Sequence, residues 1–138
     1  CLIITHHLRK LMKKEVKVSL PTFSFSGKKK IQLNLNQYRN WHHYVNSNVK
    51  RNYSLAIQHM LHFKFDGEVS IHYDYYAPDK RVRDLMNVVS VVDKFFQDAM
   101  VVRGCILADD TSIVKNLSAR YMGVEKGNSR IEATIKAI

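Results

Sequence analysis

Val16, Val18 and Leu20 alternate with Lys17 and Ser19, and this period of two predicts a strand over 16–20 that Pro21 ends. Ser26-Gly27-Lys28 reads as a turn, and Lys28, Lys29 and Lys30 follow on a loop that is exposed or faces a polyanion. From Asn36 to about Phe63, the residues Tyr38, Trp41, Tyr44, Val45, Val49, Tyr53, Ile57 and Leu61 recur at spacings of three and four. That spacing predicts one long amphipathic helix. Asp66-Gly67 is a turn signal, and 69–76 alternates as a strand before Pro78 opens a basic loop. Residues 85–102 are apolar on most sides, with Asn87, Ser90, Lys94, Gln97 and Asp98 on one polar stripe and Gly104 suited to the C-terminus. Such a helix must be buried against a sheet, a second subunit or both. Two more strands are expected at 112–122 and 130–138, joined by Glu125-Lys126-Gly127-Asn128 as a hairpin turn. The order β, α, β, α, β, β predicts a mixed α/β (α+β) class, with helices packed on a small mixed sheet.

At 138 residues the chain has the length of one domain, and no repeat or linker divides it. Residues 1–15 read as an N-terminal extension, because Met12-Lys13-Lys14-Glu15 looks like a natural start, and 16–138 reads as the domain. Cys1 and Cys105 are too few and too far apart for a disulfide framework or a zinc ribbon. No apolar run approaches the ~20 residues that a membrane span requires, so no membrane partner is expected.

Charge narrows the field of partners. Twenty-two Lys and Arg against twelve Asp and Glu give a net charge of +10. A surplus of that size on a small domain points to a polyanion, nucleic acid above all, with solubility alone as the plainer explanation. Seven of the twelve acids fall between Asp74 and Asp110. Hard cations take oxygen ligands, so an acidic centre within a basic rim suits metal-assisted phosphodiester chemistry.

The stretch Ala77-Pro78-Asp79-Lys80-Arg81-Val82-Arg83-Asp84-Leu85-Met86-Asn87 concentrates that chemistry. Asp84 stands where a helix begins, as a simple N-cap or as a metal ligand. Asp109 and Asp110 lie on a loop beyond the same helix, and they meet Asp84 only if the connection folds back along the sheet. Lys94 either neutralises a phosphate beside these acids or pairs with Asp98 one helical turn on. His42-His43 and His59-x-x-His62 read as packing or surface residues before they read as metal ligands. Tyr38, Trp41, Tyr44 and Tyr53 read as core before they read as base-stacking groups. The sequence shows no Gly-rich phosphate loop and no Ser-His-Asp motif, so no nucleotide cofactor is expected.

Taken in order, Pro78–Asn87, Asp98-Ala99-Met100, Gly104 and Asp109-Asp110 resemble the RusA family of phage-type Holliday junction resolvases. That family's core reads Pro-Asp, a basic run, Asp-Leu-Asp-Asn, a helix, then Gly and Asp-Asp. Leu35-Asn36-Gln37-Tyr38-Arg39-Asn40-Trp41-His42 is similar to the variant in phages of Gram-positive bacteria, and the likeness spans roughly 16–136.

The resemblance implies a homodimeric endodeoxyribonuclease that uses Mg²⁺, or Mn²⁺ in its place, to nick four-way DNA junctions in pairs during recombination and repair. It also implies a phage or prophage origin and a cytoplasmic setting. Carried over by residue, it makes Asp84, Lys94 and Asp110 catalytic, with Asp84, Asp109 and Asp110 on the metal. Lys80, Arg81, Arg83, Asn87 and Lys94 would then contact DNA. Lys94 takes its role only if one helical turn is inserted after Asn87; otherwise Ser90 holds the place. Met86 stands where the family has its second acid, and a thioether is a poor Mg²⁺ ligand. Asp74, Asp79 or Asp93 would substitute, or the chain binds junctions without cutting them. The apolar breadth of 85–102 places Phe95 or Phe96 in the dimer interface.

Overall fold

The computed structural model describes residues 14–138; Cys1, Met12 and most of the expected N-terminal extension lie outside the described residues. Glu15, assigned to that extension, already belongs to the first strand. The strands are β1 (Glu15–Leu20), β2 (Phe23–Ser26), β3 (Lys29–Gln32), β4 (Val69–Ala77), β5 (Val114–Val124) and β6 (Arg130–Ala137). The helices are α1 (Leu35–Asn40), α2 (His43–Ile57) and α3 (Leu85–Val102), with one 3₁₀ turn at Gln58–Met60. As expected, the class is mixed α/β. The main sheet runs β1-β6-β4-β5, and β2 and β3 form a separate two-stranded ribbon. Among the described residues no helix is long and apolar enough to cross a membrane.

Strand β4 alternates without a break, burying Val69, Ile71, Tyr73, Tyr75 and Ala77 on the helix side. It pairs parallel with β5 and antiparallel with β6. The turn expected at 125–128 is present, but it does not make a hairpin. β5 and β6 lie on opposite sides of β4, so the turn steps over the end of that strand. The Glu125 amide donates to the Ala77 carbonyl at 2.8 Å, and the Ser129 hydroxyl donates to the Tyr76 carbonyl at 3.1 Å. Two strand spacings, about 10 Å, are within reach of a five-residue link.

Helix α3 matches its expected bounds, but its breadth of apolar surface has an intramolecular cause. One side packs on the sheet, where Phe96 meets Tyr73 edge to face. Another side packs on α1 and α2, where Phe95 touches both Tyr38 and Tyr53. Phe95 and Phe96 are 1% and 0% exposed, so neither can form a subunit interface. The expectation that a second copy covers them is overturned, because the chain's own helices do so.

The single helix expected over 36–63 is two helices. Trp41 and His42 adopt extended backbone between them, and the His42 ring accepts from the Tyr44 amide. Past Met60 the buried residues are Leu61, Phe63 and Phe65, which is strand periodicity rather than helical. The ribbon, expected as a turn followed by a basic loop, is held onto α2. The Ser24 hydroxyl donates to the Val49 carbonyl, and the Asn52 amide donates to the Phe25 carbonyl, both at 2.8 Å.

The Asp93 carboxylate faces the core. Asp93 on α3 accepts from the Tyr73 hydroxyl and, at 2.7 Å, from the Gln97 side-chain amide. Burial pushes its carboxyl above the ordinary aspartate value despite these hydrogen bonds. Below the unfolded value of about 3.9 both states hold the proton. As pH rises from there towards the folded value, the unfolded chain releases its proton first, so stability falls across that window. Asn would keep the acceptor and carry no charge. Urea denaturation of wild type and Asp93→Asn at a series of pH values should therefore show the variant gaining relative stability as pH rises, then levelling off; a difference independent of pH would refute this assignment.

Candidate functional site

Where β4 ends, the chain turns through Pro78–Arg83 and enters α3, and a cleft of about 800 Å³ opens beside this turn. The ribbon and the start of α1 form its other wall, contributing Lys30, Gln32, Asn34 and Gln37. Gly127 and Ser129, from the link over the end of β4, complete the lining. The turn itself contributes Asp79, Arg81, Val82, Arg83, Asp84 and, one helical turn later, Asn87. Asp84 caps α3, its Oδ1 accepting the Met86 amide at 3.0 Å. Capping explains its position, and it leaves the second carboxylate oxygen without a protein partner among the described residues.

Asp79 organises the turn. Its Oδ1 accepts the Arg81 amide at 2.9 Å and meets Arg83 Nη2 at 2.8 Å. The Arg81 amide and the Arg83 guanidinium together hold the Asp79 carboxyl below its ordinary value. Arg83 Nη1 also donates to the Arg81 carbonyl at 3.1 Å. Arg83, expected as a DNA contact, is thus largely spent on the loop's shape. Lys80 and Arg81 are exposed, and Arg81 faces the cleft. Across the cleft, the Lys30 ammonium lies 4.2 Å from the centroid of the Phe23 ring.

The remaining expected site residues stand elsewhere. β4 and β5 run parallel with Val69 opposite Val114, so Asp109 and Asp110 lie at the end of the sheet remote from Asp84. The eighteen residues of α3 make that separation ~27 Å along the helix. The connection does not fold back. Asp110 shapes its own turn, accepting from the Ser112 hydroxyl and, at 2.9 Å, from the Ser112 amide, and these bonds hold its carboxyl below the usual range. Asp109 borders a second groove, of about 490 Å³, between α2 and α3. Lys94 is exposed two helical turns beyond Asn87, ~10 Å further along the axis and outside the cleft. Nor does it pair with Asp98, which meets Lys50 Nζ at 2.7 Å.

Of the three acids that could stand in for the one lost at Met86, only Asp79 borders the cleft. Asp93 faces the core. Asp74 lies on the open face of the sheet, bonded to His72 Nε2 at 2.8 Å and Arg120 Nε at 3.1 Å. Partial burial raises its carboxyl, and those two bonds outweigh the rise to leave it lowered. His72 Nδ1 lies 2.6 Å from the Ser118 hydroxyl, a Ser-His-Asp row that no local motif announced. None of its members borders either cleft. His42, His43 and Tyr44 stack on one another at the surface.

Among the described residues no three His, Cys, Asp or Glu side chains gather as a metal cage. Mg²⁺ does not need one, since it is commonly held through one or two carboxylates plus substrate phosphates and water. Asp79 and Asp84 both line the cleft, and each engages Oδ1 in internal bonds while its Oδ2 makes none among the described residues. Two carboxylates of this kind match the ion's preference for oxygen donors. Sequence reasoning singled out Lys30 as exposed or facing a polyanion but missed Gln32, Asn34 and Gln37, and with them the far wall to which it belongs. The signal lay in residues 23–33, where Phe23, Phe25, Ile31 and Leu33 alternate with polar residues around Gly27.

Compared with protein-family models and with curated proteins, the chain matches none.

If Asp79 carries the loop, Asp79→Ala should speed hydrogen exchange at the Arg81 amide by an order of magnitude or more, while amides in the middle of α3 keep their rates. Unchanged exchange at Arg81 would remove Asp79 from that role.

Proposed function

We propose that this protein is a Mg²⁺-dependent, structure-selective endodeoxyribonuclease acting on four-way DNA junctions, with Mn²⁺ able to replace Mg²⁺. The observation that carries the proposal is the cleft at the start of α3, lined by Asp79, Arg81 and Asp84 on one wall and by Lys30 on the other. The net charge of +10 and the resemblance of residues 78–110 to RusA-type resolvases support the same reading.

Asp79 and Asp84 would hold the metal, which supplies Lewis-acid polarisation and an activated water when bound. Lys30 and Arg81 would seat the phosphate backbone from opposite walls, and Lys80 would extend the contact outward. Asn87 offers an amide to the same phosphates. Arg83 holds the loop that presents Arg81. Backbone contacts of this kind position a duplex without reading its bases, which suits recognition by shape. Asp109, Asp110 and Lys94 have no place in a site built from one chain. A homodimer is part of the proposal, because paired nicks need two sites; its interface does not run through Phe95 or Phe96.

A second reading is a junction-binding protein that does not cut. Met86 in place of an acid and the distance between Asp84 and Asp110 both favour it.

Incubation with a synthetic four-way junction and Mg²⁺ separates the two. Nicking is expected, and Asp79→Asn and Asp84→Asn should each slow it by about three orders of magnitude while binding persists. Losing several kcal/mol of metal-derived stabilisation has that effect, at tenfold per 1.36 kcal/mol. Asp110→Asn should cut at nearly the normal rate. Binding without nicks would establish the second reading, and loss of cutting in Asp110→Asn would reject a site built from one chain.

A further inference from the structure

We propose that Val82 is an apolar wedge, which enters the opened base stack at the branch point of a nucleic acid seated in the cleft. The inference rests on the nucleic-acid reading of that cleft and adds the device by which a branch is told from a continuous duplex.

Val82 is 96% exposed, and it sits between two residues that are bonded within the loop. Its neighbours on either side are tied together, because the Arg83 guanidinium donates to the Arg81 carbonyl and pairs with Asp79. The Asp79 carboxylate also accepts the Arg81 amide. The backbone of Val82 is therefore pinned between two bonded residues, and its side chain is the apolar tip of a basic loop at the edge of the cleft. A loop whose backbone is shaped before binding spends less entropy on being ordered. Arg81 beside it and Lys30 across the cleft supply the charge that brings a phosphate backbone onto the tip.

Apolar wedges part base steps at the cost of unstacking them. That cost is least where pairing or stacking is already interrupted. A continuous duplex demands the full cost, whereas a branch point has an opened stack. An exposed apolar tip with Arg81 beside it and Lys30 across the cleft therefore selects the branch without any contact to a base edge.

The test uses the full chain in metal-free buffer, so that no cutting occurs, and a four-way junction with 2-aminopurine at the crossover. Binding is followed by anisotropy on an end label, and unstacking by the 2-aminopurine fluorescence. Wild type and Val82→Leu should raise the fluorescence on binding. Val82→Ser should bind within about twofold of wild type and lose most of the rise, and its preference for the junction over a linear duplex should shrink. An unchanged rise in Val82→Ser, or no rise with wild type on a bound junction, overturns the wedge and leaves the nucleic-acid reading standing. Failure of wild type to bind the junction overturns both.

Discussion

The parallel pairing of β4 with β5 is the constraint on which the rest depends. Parallel neighbours cannot be joined by a tight turn; the chain must travel back along the sheet before the second strand starts. Here α3 makes that return, and its apolar breadth follows from its place between the sheet and the α1–α2 pair. The same crossover decides the chemistry. Residues just after β4 and residues just before β5 are sent to opposite ends of the molecule, so Asp84 and Asp110 cannot share a site within one chain. Whatever gathers at the start of α3 must come from elements that end or turn there: the Pro78–Arg83 turn, the β2–β3 ribbon, the head of α1, and the link that steps over β4.

Within that gathering the charges are not equivalent. Asp79 and Arg83 neutralise each other and give the turn its shape, with the Arg81 amide as third partner. Their bond is half-exposed, and exposed pairs contribute little to stability; its consequence is geometric. It presents Arg81 and Val82 to the cleft and leaves one oxygen of each nearby carboxylate free. Asp84 likewise does two things, capping the helix with one oxygen and keeping the other. Asp79, Arg83 and Asp84 thus shape the site, while the Lys80 and Arg81 side chains and the second oxygens of both carboxylates make no bond within the fold among the described residues.

The elements that were legible in the chain are those of uniform period. Strand β4 alternates over its whole length and α3 keeps one polar stripe, so both stood out in the sequence. The region 36–65 changes period at Leu61, and an extended step at Trp41 and His42 interrupts it, so a spacing of three and four read across both gave one helix instead of two. Strand partners were less accessible. The turn at 125–128 was visible from Gly127, but local pattern does not reveal that β4 lies between the strands it joins. For the site, the acids and the basic run at 79–84 were legible. Their separation from Asp109 and Asp110 was not, because it follows from strand direction. The far wall was hidden by treating 28–30 as a loop rather than as part of a ribbon.

On the proposed function, a metal ion and its polyanion would meet at the start of α3. Paramagnetic broadening by Mn²⁺ in amide NMR spectra of the whole chain tests this most directly, since it reports proximity to the ion without requiring turnover. Broadening should centre on the amides of Asp79, Arg81, Asp84 and Asn87 and leave those of Asp109, Asp110 and Ser112 sharp. Broadening centred on Asp109–Ser112 instead, or none at either end of α3, would contradict the account.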